Sequence, residues 1–209
     1  MRNKILIINN QRGGVSMMVL SLIALIFCIL VMVVSIRYSL LYTTQNMLKN
    51  DLNAAVHAAS LSIDETQLAK GYFMLDTTTP GTRAQDMFYK YLQLNMDLDS
   101  NNKAMTKSKV PVGTTVNINE LIYVDYESRT LVNMGPNPTS CSLLSSTAQV
   151  TCEVTLNNGS STEITRVVNQ TVRGPSVVAI VNTYHKELGS MNQEPLLIPA
   201  VQEVFFRKK

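Results

Sequence analysis

The chain has 209 residues, 18 basic and 15 acidic side chains, and a formal net charge of +3. Three of the basic residues, Arg2, Lys4 and Arg12, stand in the first 14 positions with no acid among them, so the remainder is neutral and carries no electrostatic footprint for nucleic acid. Two histidines, and no H-E-x-x-H, P-loop or G-x-S-x-G pattern, argue against an enzyme.

Residues 1–14 read as a short basic leader. Val15 to Ile36 follows without a charge, a glycine or a proline. As a helix it would measure about 33 Å at ~1.5 Å per residue, close to a hydrocarbon core of about 30 Å. A secretory signal has a shorter apolar core and a small-residue cleavage site. Here Arg37-Tyr38 closes the run, so it reads as a retained transmembrane helix whose partner is the lipid bilayer. Basic residues crowd the N-terminal flank. The positive-inside bias therefore places the N-terminus in the cytoplasm and residues 37–209 outside.

The helix is expected to continue to about Ser62. Leu41, Leu48, Leu52, Ala55, Ala59 and Ile63 recur at helical intervals, and Gln45, Asn46, Lys49, Asn50 and Asn53 take much of the other side. Residues 37–66 thus form an amphipathic extension. Leu48, Leu52, Ala55 and Ala59 are its candidate packing interface, toward another subunit or toward the chain's own sheet. His57 falls in the Ala-rich stretch as a packing residue. Asp64, with Gln67 three residues on, is spaced to cap a new turn.

Residues 67–209 read as an extracytoplasmic α+β domain. A loop at 76–83 precedes a second, shorter helix near 83–96. The polar stretch 99–113 reads as a mobile loop. Oxygen-bearing residues alternate through "NMDLDSNN", Asn95 to Asn102, but the central glycine and closing glutamate of a calcium loop are missing. A helix end entering a polar loop explains it, and neither a metal nor a cofactor is expected. After Gly113 the pattern alternates in strand fashion: "TTVNINELIYVDYES", "AQVTCEVTL" with Val150, Cys152, Val154 and Leu156 on one face, "TEITRVVNQTVR" as its hairpin partner through "NNGS", and "SVVAIVNTYHKEL". The tyrosines Tyr123, Tyr126 and Tyr184 are expected to pack on sheet faces, and His185 to be exposed at a strand end. The C-terminal stretch reads as a loop and a short last strand. Helices followed by antiparallel strands make an α+β fold.

Cys28 lies within the span as an apolar filler. Cys141 and Cys152 lie in the exported part, where disulfides persist, and are expected to be bridged.

"QRGGVSMMVLSLIALIF" followed by "QNMLKNDLNAAVHAASLSID" resembles the N-terminal region of type IV pilin-like proteins, and more narrowly the Tad (Flp) pseudopilins of the TadE/TadG-like group. The resemblance covers about residues 11–63. It implies a pilin-like fold, cleavage by a prepilin peptidase between Gly14 and Val15, and assembly with other pilin-like subunits through the long helix. Fibre-forming members carry Glu at the fifth mature position, and Val19 stands there. This departure implies a minor or accessory subunit of a pilus or secretion apparatus. Outside the resemblance, the alternative is a standalone membrane-anchored binding module or adhesin.

Overall fold

The computed structural model describes residues 12–72, 74–78, 81, 83–144, 148–157, 163–186 and 193–204. It is an α+β structure: a long N-terminal helix, short helices, then antiparallel sheets. The chain divides into two compact units, one ending at Tyr42 and one beginning at Thr43. The leader residues 1–11, residues 158–162 of the "NNGS" hairpin turn and Phe205 to Lys209 lie outside the described residues.

Helix α1 runs Arg12–Ser60. It starts three residues before the expected Val15, so Gly13 and Gly14 belong to its first turn, and it ends two residues before Ser62. Ile63, the last member of the apolar stripe, instead bridges Leu75 in an isolated pair. Short α2 (Glu65–Leu68) begins at the expected cap. Asp64 Oδ1 accepts hydrogen bonds from the amides of Thr66 (2.8 Å) and Gln67 (3.2 Å) and from the Thr66 hydroxyl (2.5 Å). The Thr66 hydroxyl and then the Gln67 amide favour the carboxylate and lower its pKa.

Helix α3 (Ala84–Met96) falls where the apolar spacing places it, burying Ala84, Phe88, Leu92 and Met96 at intervals of four. At its start, Asp86 accepts from the Gly81 amide at 2.6 Å and from Arg83 Nε at 2.8 Å. The Gly81 amide, followed by Arg83, holds this carboxyl below its usual range.

The stretch after α3 is tied down, contrary to the expected mobile loop. Asp99 Oδ1 accepts from the amides of Asn101 and Lys103, and Asp97 Oδ2 from Lys107. The Ser108 hydroxyl donates to the Met96 carbonyl at 2.6 Å. Ala104 and Val110 are buried beneath. Gly113, at φ +80°, turns the chain toward the first strand in a conformation that side chains rarely tolerate. The polar residues here serve as local backbone caps, which composition alone cannot distinguish from solvated loop.

Seven strands follow among the described residues. β1 (Asn117–Asp125), β2 (Thr130–Asn133), β6 (Ser176–Lys186) and β7 (Gln193–Glu203) form one sheet in the order β2-β1-β6-β7. β3 (Cys141–Leu144), β4 (Gln149–Asn157) and β5 (Glu163–Thr171) form a second, inserted in sequence between β2 and β6. All pairings are antiparallel. The last strand is a correction: it is eleven residues long, not a loop with a short strand. Its Pro195 and Pro199 are tolerated because β7 is an edge, where a missing N–H can face outward.

The register explains the core. Val150, Cys152, Val154 and Leu156 all point inward from β4, as their alternation requires. They pack against Ile122 and Val124 of β1, and Val178 and Ile180 of β6. The opposite face of the larger sheet carries Leu121, Tyr123, Val177, Ala179 and Val181, also buried. Glu120, beside a register shift in β1, is 4% exposed. Its Oε1 accepts from the Ser140 amide at 2.9 Å and lies 2.6 Å from the Ser140 hydroxyl, fastening the β2–β3 connection. The Ser140 hydroxyl also reaches the Glu153 carbonyl of β4 at 2.5 Å.

Candidate functional site

The feature that asks for a functional explanation is the N-terminal half of α1. From Met17 to Ile36 its large apolar side chains are exposed on every side of the helix, Phe27 at 66% and Leu20 at 69%. A helix apolar all round belongs in a membrane or a deep core, and these residues are not in the core. Among the described residues this is one helix long and apolar enough to cross a membrane. Its polar atoms fit that setting. Ser21 donates to the Met18 carbonyl at 2.9 Å and Ser35 to the Val31 carbonyl at 2.8 Å. Both hydroxyls are satisfied within the helix, as hydrocarbon demands. Cys28 is a free thiol on the same surface.

The exposed apolar surface does not end at Arg37. Tyr38 is 70% and Tyr42 67% exposed, four residues apart and so on one helix face, with Leu40 exposed between them. Tyrosines at the end of a span suit the boundary between lipid and water, with apolar rings and polar tips. The signal was present in the sequence, since both lie within six residues of the flanking Arg37. Grouping 37–66 as one amphipathic extension obscured it.

The candidate interface residues have a different fate. Leu48, Leu52, Ala55 and Ala59 are completely buried, together with Val56, inside the second unit of this same chain. The stripe is therefore covered intramolecularly and is not left open for a neighbour. Asp51, on the same segment, accepts an ion pair from Lys109 Nζ at 2.6 Å. His57 is exposed in the last turn, not packed, where a basic side chain faces the negative end of the helix.

Gly14 and Val15 lie in the first turn of α1. A cut between them needs that turn to open, and two glycines make local unwinding inexpensive, at roughly 1 kcal/mol each relative to alanine.

Cys141 and Cys152 are joined by a disulfide between directly opposed positions of β3 and β4, with Cα atoms 4.0 Å apart. Cys152 sits in the inter-sheet core.

Several carboxylates elsewhere are committed to structure. The carboxylates of Asp64, Asp86, Asp97 and Asp99 accept from nearby backbone amides. No three His, Cys, Asp or Glu side chains cluster to hold a metal among the described residues. Tyr123 is 2% exposed. Burial, and secondarily the charge of Asp125, pushes its phenol up to about 12. Its hydroxyl makes no hydrogen bond among the described residues, the Leu75 backbone being the polar group beside it. Tyr126 lies 40% exposed after β1, and His185 is half-buried opposite Glu194 rather than exposed.

The chain matches no protein-family model, no curated protein and no solved structure.

Proposed function

We propose that this protein is a single-pass membrane subunit, a minor or accessory pilin-like component of a bacterial Tad or type IV pilus-like or secretion apparatus. The N-terminus lies in the cytoplasm, because Arg2, Lys4 and Arg12 resist translocation. The folded α+β domain lies outside. The observation that carries this reading is the all-round apolar exposure of Met17 to Ile36 on the helix that also roots the folded domain. Such a helix has two suitable surroundings, lipid and a bundle of similar helices, and a pilin-like subunit passes between them. The role is structural, in keeping with Asp64, Asp86, Asp97 and Asp99 serving as backbone caps and Asp51 pairing with Lys109.

Val19 replaces the Glu that would pair with a neighbour's new N-terminal amine. An amine buried in an apolar bundle without a counter-charge is costly. A position with no such requirement, at the tip or base of a fibre, suits this chain best.

A second reading has its own support. Because Leu48, Leu52, Ala55 and Ala59 are already covered, the domain has no need of a helical neighbour there, as expected of a standalone anchored binding module or adhesin.

N-terminal sequencing of membrane-extracted protein, with and without a co-expressed prepilin peptidase, separates the two. A start at Val15 that depends on the peptidase supports the processed subunit. A start at Met1 under both conditions supports the anchored module.

A further inference from the structure

Edge strands carry unpaired backbone N–H and C=O groups, and folded proteins usually blunt them. Three of the four edges here are blunted. β2 and β3 are four residues long. β7 carries Pro195 and Pro199. β5 is the exception. It runs nine residues, "EITRVVNQT", with neither proline nor lysine. Among the described residues it pairs with β4 alone. None of its described side chains is buried, and Val167, on the face turned away from the core, is 59% exposed.

The layer to which β5 belongs is also one strand short. Three strands lie over four. β3 neighbours β2, while Val168 of β5 packs on the same core as Leu197 and Val201 of β7. Leu197 and Val201 remain half-buried at the margin of that core.

We propose that β5 is a docking edge and that its occupant is β5 of a second copy of this chain, added antiparallel about a two-fold axis at Val167. A row of free amides and carbonyls is satisfied by water or by another strand, which sets the occupant's chemistry. Self-pairing in this register places Ile164 opposite Gln170, Thr165 opposite Asn169, Arg166 opposite Val168, and Val167 opposite its own copy. No like charges face one another. Thr165 and Asn169 can exchange hydrogen bonds, and the exposed Val167 gains an apolar partner. Two three-stranded sheets become one of six. An isologous contact of this kind closes on itself and gives a dimer. It rests on the folded domain and is independent of the membrane reading.

The test uses the full chain, in detergent micelles and in lipid nanodiscs, with Cys28→Ser to remove the free thiol. In that background Val167→Cys should form a dimer with a short bis-maleimide. Val112→Cys, at a 67% exposed site outside the sheets, before β1, should not. Val167→Lys sets like charges opposite each other on the axis and should weaken dimerisation about fivefold or more. Mixing the Val167→Lys and Val167→Glu variants should restore it. Retention of the Cys141–Cys152 bridge reports that each variant is folded. The proposal is overturned if Val167→Cys fails to cross-link in both media, or if Val112→Cys cross-links equally. A dimer indifferent to Val167→Lys also overturns it, and assigns association to α1 instead, leaving the subunit reading standing.

Discussion

Cys152 faces the inter-sheet core from β4 while its partner Cys141 is half-buried on β3. The bridge closes a loop across a sequence separation of 11. A loop of that size restricts the unfolded chain by about 3 kcal/mol. The Cys141→Ala/Cys152→Ala double variant should lose stability of that order, measured by chemical denaturation of the full chain in detergent. Mass spectrometry of non-reduced peptides should find the two segments joined, and two alkylatable thiols would contradict the pairing. Tyr123 gives a pH-dependent counterpart. Its phenol is raised to about 12 by burial, so the folded state resists ionisation that the unfolded state undergoes near pH 10. The stability it contributes is complete below pH 10 and is lost as pH rises toward 12, by about 1 kcal/mol at pH 11. Tyr123→Phe should remove that part of the alkaline loss. Because the hydroxyl makes no hydrogen bond among the described residues, the same substitution should be neutral or stabilising at pH 7.

Helix α1 contains two kinds of leucine, and their substitutions should behave oppositely. Leu52 is fully buried and Leu25 is 60% exposed. Leu52→Ala removes packed volume inside the second unit and should destabilise it by about 2–5 kcal/mol. Leu25→Ala should leave denaturation of that unit unchanged within about 0.5 kcal/mol, since its side chain faces outward. Thermal unfolding of both variants in the same detergent makes the comparison. Equal losses would mean that the apolar half of α1 is packed against protein. The two halves are hard to tell apart by their leucines, four in each of the stretches 15–36 and 37–60. The difference lies in the polar residues: Lys49, Asn50 and Asn53 interrupt the second half, and nothing charged interrupts the first.

For the whole molecule, the proposed orientation rests on very few charges. A reporter fused after Lys209 should be active outside the cytoplasm and silent within it. Neutralising Arg2, Lys4 and Arg12 together should yield a mixed population, because little else distinguishes the two flanks of the span. A cytoplasmic reading from the unaltered chain would contradict the proposed topology. The domain carried by that span is a helical segment followed by two stacked antiparallel sheets, closed by a disulfide within the smaller one.

Features set by local pattern were legible in the sequence alone. The uncharged run from Val15 to Ile36 defines an apolar helix whatever follows it. Alternation fixes the inward face of β4 at Val150, Cys152, Val154 and Leu156, and four-residue spacing locates α3. Asp64 caps its turn through neighbours two and three residues away. The tertiary structure decided what distant segments do to one another. It covered the Leu48 to Ala59 stripe with the chain's own domain, a choice helical periodicity leaves open because any apolar partner satisfies it. It divided the strands between two sheets and drew β2 and β3, too short to show a period, into them. It allowed β7 its prolines by placing that strand at an edge. Among the described residues it left β5 without a second neighbour. Each of these outcomes depends on long-range burial and strand order, which a residue's immediate neighbours do not encode.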